Sequence, residues 1–383
     1  MNILYYFAED NSYMTQWQRI HVFNELNHYD YKINVFNPLQ YASIEEANEC
    51  LVKTLREHRM SYDLFMTCVS SKLLYKETIN LISKLGLPTL LICFDNLHAP
   101  YLHKDIASFF DLVWLTSCET KTMFEKWNSK NIIVQPYAAN PYLFDPVWKD
   151  SFYSIGFIGS PYGSRANKIN KLTQSKIPCT IYNNFLNSKS EQKQITIISK
   201  WELMKSLKNL SSFRIGRKVL LGAVKNKIIK ENNIDLNVFL EVNPSVSFKE
   251  MQILYSAHSL SLNITELRNT YVLKKPIHKL HLRTFEIPMA GGLEFTSYTP
   301  EILNYFEPDK EIVLYDSDEE MTEKARFYLD PKNEYLCKIM KKNARKRSVS
   351  EHTWKNRFDH ILAQIGYSNV IKYSYSKNGI TTK

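Results

Sequence analysis

The 383 residues exceed what one compact core organises and predict two domains of ordinary size. Hydrophobic residues at 44% and charged residues at 23% exclude a disordered chain. No apolar run approaches the ~20 residues that span a bilayer, and the formal net charge of +10 fits polyanionic partners: nucleic acid, anionic lipid or phosphate-bearing substrates.

NILYYF (2–7) reads as a first strand and lacks the basic region and cleavage site of a secretory signal. A helix from Thr15 to Leu26 follows, then the strand KINVF (32–36) and a helix from Ile44 to Leu55. The alternation continues with strands at 63–68, 89–94, 111–116 and 132–134, a helix from Leu73 to Leu85 and another from Cys118. Short connections between such elements predict parallel βαβ units with helices on both faces. The run QPYAANPYLFDPVW (135–148) holds three prolines and no sustained period, and reads as an ordered linker.

A second alternating series opens with YSIGFIGS (153–160). Strands are expected at 179–184, 236–242, 260–264, 293–297 and 311–315, with helices at 248–256, 279–290 and onward through 350. The last helix, 351–366, carries Trp354, Phe358, Ile361, Leu362 and Ile365 on one face, and a polar tail runs from Ser374 to Lys383. Residues 185–235 are rich in Lys, Ser and Asn and carry no readable motif; they read as acceptor contact or helical surface. The domains are therefore set at 1–145, 146–350 and a closing segment 351–383. Two doubly wound Rossmann-like α/β domains would face each other across a cleft at the carboxyl ends of both sheets, where ligands bind in such folds.

Cys50, Cys68, Cys93, Cys118, Cys179 and Cys337 form no CxxC pair, so buried reduced thiols in a cytoplasmic protein are expected rather than zinc or disulfides. Basic clusters at Lys225–Lys230 and Lys341–Arg347 read as solvated helical faces or a patch for anionic lipid. The aromatics are spread through core strands rather than interleaved with basic residues on one face, which argues against nucleic acid.

Two stretches could carry chemistry. FIGSPYGSR (157–165) is a strand end, a glycine turn and a helix start. Gly159, Ser160 and Arg165 there suit a phosphate, although an ordinary βα turn looks the same. In LRTFEIPMAGG (282–292), Glu286 sits on an apolar helix that ends at Gly291-Gly292. Glycine ends helices, and Glu286 has Arg283 as a partner one turn earlier. A buried carboxylate also suits the vicinal hydroxyls of a ribose, and bare glycine backbone suits a diphosphate.

The run from His281 to Leu329, together with SEHTWKNRFDHIL (350–362), FIGSPYGSR and the stretch 90–144, resembles the spore maturation protein (CgeB-type) glycosyltransferases of the GT-B group. The resemblance covers most of the chain and is strongest at 281–362. It implies a C-terminal domain that holds a nucleotide-sugar donor and an N-terminal domain that takes the acceptor. Glu286 then corresponds to the ribose-binding Glu, Gly291 and Gly292 to the diphosphate-facing turn, and Arg283 to a basic residue near phosphate. Asn263 falls at a strand end near the sugar, with Asn269 as a weaker candidate. Related retaining enzymes carry a Glu-x7-Glu pair whose first member falls on His278 here, a departure that leaves retention or inversion open.

On the acceptor side, Asp95 and His98 follow the strand 89–94 at the carboxyl end of the first sheet. His98 has the ordinary pKa range of a base at neutral pH, whereas Asp-Asn also starts turns. Asp10, with Glu9 beside it, and Arg19 sit at an equivalent rim, Arg19 as an acceptor-phosphate ligand or a plain helix-surface residue. No paired aspartates mark a metal site, so donor charge is expected to be met by backbone dipoles and Arg or Lys, with no cofactor beyond the nucleotide-diphosphate sugar. The expected activity is transfer of a sugar to a hydroxyl of a glycan or polyprenyl-phosphate-linked acceptor, in surface polysaccharide synthesis at the inner face of the cytoplasmic membrane. A sugar-nucleotide epimerase of the same fold and a noncatalytic binder of nucleotide sugar or polyanion are the alternatives.

Overall fold

The structure, a computed structural model, describes residues 1–10, 12–148, 151–184, 200–229, 233–267 and 269–366. The polar tail expected from Ser374, residues 185–199 and Lys230 lie outside them. The chain divides into two compact units, Met1–Ala138 with Thr353–Lys383, and Ala139–His352. The division falls at Ala138 rather than at 145, and the last helix goes with the first unit.

The first unit is built on β1 (Asn2–Tyr6), β2 (Lys32–Phe36), β3 (Leu64–Thr67), β4 (Thr89–Cys93), β5 (Leu112–Leu115) and β6 (Ile132–Val134), in the order β2-β1-β3-β4-β5-β6, all parallel. β3, β4 and β5 are buried along their whole length, as continuous apolar runs covered on both faces must be. The crossover segments are α1 (Tyr13–Gln18), a π-helical turn (Arg19–Phe23), α2 (Asn24–Asn27), α3 (Ile44–Glu57), α4 (Lys76–Lys84) and α5 (Lys121–Lys126). The single helix expected over 15–26 is thus three pieces, wound wider at Arg19–Phe23. Ser43 caps α3 by accepting from the Glu46 amide at 3.1 Å.

The second unit holds β7 (Phe152–Ile158), β8 (Cys179–Tyr182), β9 (Leu240–Asn243), β10 (His258–Asn263), β11 (Glu294–Ser297) and β12 (Val313–Tyr315). Their order β12-β11-β10-β7-β8-β9, again all parallel, is that of a dinucleotide-binding sheet, and it reverses between β7 and β10. Its helices are α6 (Ser164–Gln174), α7 (Lys200–Ser211), α8 (Arg214–Ile228), α9 (Phe248–Ala257), α10 (Arg283–Met289), α11 (Asp318–Leu329) and α12 (Glu334–Glu351). Most of the core, including Phe157, Ile181, Leu262, Phe295 and Tyr315, comes from strand runs already apolar in the sequence. β9 is shorter than the expected 236–242, and α10 shorter than 279–290. The reason for the latter is a bridge between Glu266 and His278 and a bond from the Lys279 amide to the Thr265 carbonyl at 2.9 Å, which hold that segment extended.

The closing helix α13 (Trp354–Ile365) packs in the first unit. Trp354 is fully buried against Trp17, Phe94 and Trp114, with ring centroids 5.9, 6.5 and 6.3 Å away. The buried Glu25 carboxylate accepts from the amides of Trp354 (3.1 Å) and Lys355 (2.7 Å), satisfying two orphan donors at the helix start.

Candidate functional site

In the second unit the carboxyl ends of β7 and β10, where the strand order reverses, gather several expected residues. β7 is followed by Gly159, whose φ of +140° belongs to glycine. A Cβ there would collide with the guanidinium of Arg283, so the glycine leaves room for that side chain. Arg283 opens α10 and donates from Nε to the Ile158 carbonyl at 2.9 Å. Arg165, in the first turn of α6, donates to the Ser160 carbonyl at 3.1 Å and lies 4.4 Å over the Tyr162 ring. Both guanidinium groups also flank the Phe157 ring, at 5.8 and 6.0 Å. Among the described residues neither forms an ion pair.

Arg165 is 8% exposed. Burial first and the like charge of Arg283 second pull it down to about 10, so it stays cationic at neutral pH. Two cations held together without a paired carboxylate, although Glu266 and Glu286 act on them electrostatically, make a site whose complement is an anion.

Glu286 lies one turn along α10 from Arg283 and is 4% exposed. Burial lifts its carboxyl to about 7, against a smaller downward pull from Arg283. No described residue donates a hydrogen bond to it. A nearly buried acceptor without a donor beside Arg283 can take the hydroxyls of a ligand whose charge the arginines hold.

Glu266, three residues beyond the carboxyl end of β10 and in the sequence not marked out, accepts from the Ser164 hydroxyl at 3.1 Å and raises both Arg165 and His278 electrostatically. His278 is half-buried, with Nδ1 2.9 Å from the Thr265 hydroxyl, and burial holds it below its ordinary value. Ser160 is exposed; its hydroxyl lies 3.4 Å from the Asn183 amide nitrogen.

Three expected donor residues sit elsewhere. Asn263 is completely enclosed and donates to Thr284 (3.0 Å) and Glu294 (2.7 Å), which makes it a strut between β10, α10 and β11 rather than a ligand contact. Gly291 and Gly292 do not face the carboxyl edge. They end α10, and their amides are taken by the Pro288 (3.0 Å) and Ile287 (2.8 Å) carbonyls. A Cβ on Gly291 would come 2.7 Å from Trp148 and one on Gly292 2.7 Å from the Tyr255 carbonyl, residues that precede β7 and β10. The glycines therefore stand at the amino edge, about 10 Å from Arg283 along a seven-residue helix. Asn269 offers its backbone to α8, with its carbonyl against Gly222.

In the first unit, Asp95 and His98 are both exposed on one turn at the carboxyl end of β4. That turn is fixed by the buried Asn96, which donates to the Ser117 carbonyl (2.8 Å) and accepts from the Thr116 and Ser117 amides (3.0 and 3.1 Å). Asp10 and Arg19 line one cavity of about 530 Å³ with Glu9, Gln16 and Asn37. Arg19 is engaged there, since its guanidinium fork meets both oxygens of Glu9, so the free phosphate ligand expected of it is not present. Asp10 accepts from the Ser12 amide and the Thr15 hydroxyl, both at 2.8 Å, and those bonds hold it below the ordinary carboxylate range. It acts as a loop brace.

Among the described residues no group of three or more His, Cys, Asp or Glu is placed to hold a metal ion, and no helix is long and apolar enough to cross a membrane.

A family model described as glycosyl transferase-like matches residues 202–363. No curated protein sequence matches the chain. Among solved structures, sucrose-phosphate synthase from Thermosynechococcus elongatus is similar at 12% identity and a TM-score of 0.53, covering 99% of this chain and 100% of that one. HepE from Anabaena, in complex with UDP, is similar at 11% identity and a TM-score of 0.55 over 98% and 100%. An α-glucosyltransferase in complex with UDP and a 13-mer DNA containing an HMU base gives 12% and 0.58 over 95% and 99%. The fold is thus GT-B, with two Rossmann-like α/β domains.

Proposed function

We propose that the protein is a nucleotide-sugar-dependent glycosyltransferase, related within the GT-B group to the spore maturation type. The observation that carries the reading is the unpartnered, nearly buried Glu286 carboxylate beside Arg283, which shares the Phe157 ring with Arg165, at the reversal point of the second sheet. Glu286 accepts the ribose hydroxyls. The two guanidinium groups hold the diphosphate and stabilise the charge that develops on it as the glycosidic bond breaks, without a metal ion. His278, bridged to Glu266 beyond the carboxyl end of β10, takes a sugar hydroxyl. The acceptor, a hydroxyl of a glycan or a polyprenyl-phosphate-linked glycan, loses its proton to Asp95 or His98. The enzyme would work in the cytoplasm, on surface polysaccharide at the inner face of the membrane.

UDP is the first nucleotide to test, because the similar HepE and α-glucosyltransferase structures hold it. Thermal shift with UDP, GDP, dTDP, CDP and ADP should show one nucleotide stabilising the wild type. At 100-fold its Kd the ligand adds about 2.7 kcal/mol. Arg283→Ala should abolish that shift. Silence from all five nucleotides would remove the donor-site reading and leave the noncatalytic alternative.

A further inference from the structure

The helical pair α7–α8 carries apolar side chains on its outer surface. Along α8 the exposed residues include Arg214, Arg217, Leu221, Val224 and Ile228, a stripe with steps of three and four residues, and Lys225 and Lys227 stand exposed beside it. The opposite side carries the contacts that fix the helix. Gly216 leaves no room for a Cβ against the Leu210 carbonyl, Gly222 none against the Asn269 carbonyl, and Tyr271 donates to Asn226 at 2.8 Å. On α7, Trp201, Met204 and Leu207 continue the exposed apolar surface. Exposures of 75% for Trp201, 62% for Val224 and 79% for Ile228 are those of side chains that no described residue covers.

Charge identifies the occupant. Residues 200–229 hold eight Lys or Arg and one acidic residue, a net +7 out of the chain's +10. A second copy of the chain would bring the same charge against this one and be repelled. An apolar stripe with a tryptophan near one end and flanking cations matches a bilayer whose headgroups are anionic and whose acyl boundary takes the side chains.

We propose that the α7–α8 pair is the surface by which this protein lies on an anionic phospholipid membrane. The proposal deepens the membrane-facing part of the function reading, yet needs nothing from the nucleotide site. Flotation tests it, using vesicles of phosphatidylcholine with phosphatidylglycerol against phosphatidylcholine alone. The wild type should float with the anionic vesicles at least about tenfold more than with the neutral ones, and added salt should weaken it.

The triple variant Leu221→Ser, Val224→Ser, Ile228→Ser should lose flotation while keeping its helical circular dichroism and its nucleotide thermal shift. Should that variant lose its helices, Lys225→Glu with Lys227→Glu, which leaves the apolar stripe intact, should still lower binding to the anionic vesicles. Equal binding to both vesicle types, or flotation untouched by both variants, overturns the proposal. So does a concentration-dependent dimer, abolished by the triple variant, in a protein that never floats. A preserved nucleotide shift in any of these cases leaves the transferase reading standing.

Discussion

Replacing Glu286 by Gln separates what the carboxylate does for a ligand from what its burial does to the fold. Burial lifts this group from 4.5 to about 7. A folded-state pKa above the unfolded one means that the folded protein holds the proton more tightly. The associated stability is full below pH 4.5 and is lost as the pH rises through about 7. At about 1.36 kcal/mol per pKa unit, that interval amounts to roughly 3 kcal/mol. Gln has no proton to lose. Urea unfolding of the variant should therefore match the wild type within about 1 kcal/mol near pH 4.5, and exceed it by roughly 3 kcal/mol near pH 8. Nucleotide binding should move the other way, because Gln offers a neutral acceptor where a charged one stood. A loss of about 1.5–3 kcal/mol corresponds to roughly 10- to 150-fold in Kd by calorimetry at pH 8. A constant stability gap between the two proteins across this pH range would refute the account of the buried charge, and an unchanged Kd would refute its role toward ribose.

Gly159→Ala forces a Cβ into the Arg283 guanidinium at a φ of +140°, so it should cost about 1–3 kcal/mol and weaken nucleotide binding together; an unweakened Kd would separate Arg283 from the ligand. Gly291→Ala meets Trp148 and Pro146 at a φ of +72° on the opposite edge, so it should cost a similar amount of stability with the Kd unchanged. Asp95→Asn and His98→Gln should leave nucleotide affinity intact. Whichever residue is the base should lower kcat by about 10²- to 10⁴-fold, and if both variants turn over at the wild-type rate the base lies elsewhere.

Much of the fold could be read from the chain because it depends on local patterns. β2, β6 and the start of α3 fall where the apolar runs place them. Positions that depend on distant partners could not be read so well. The π-helical turn at Arg19–Phe23 has no marker in residues whose spacing also fits an ordinary helix. Arg19 looked available because nothing local says that Glu9 folds back across its guanidinium. Asn263 carries a strand-end signal, but its true neighbours, Thr284 and Glu294, lie 21 and 31 residues away. The helices α7 and α8 were hidden for a different reason. Apolar residues stand on both sides of α8, Ile215 buried and Leu221, Val224 and Ile228 exposed, so no single apolar face marks it out in the sequence.

The glycine pair shows why a correct motif can still carry a wrong geometry. Glu286 and Gly291 are five residues apart, and sequence proximity suggests one site. A helix crossing back over a parallel sheet runs opposite to the strands, so its start lies at their carboxyl edge and its end at their amino edge. Arg283, at the start of α10, meets the end of β7, whereas Gly291 and Gly292 meet residues that precede β7 and β10. Glu286 lies in the first turn and so belongs with Arg283. At the other end, Arg345 donates to the Met289 carbonyl and, at 2.6 Å, to the Phe144 carbonyl, closing the turn against backbone that leads toward β7. The glycines allow that tight closure. They bear on a ligand only by fixing the far end of α10, so a substitution there should register in stability before it registers in binding.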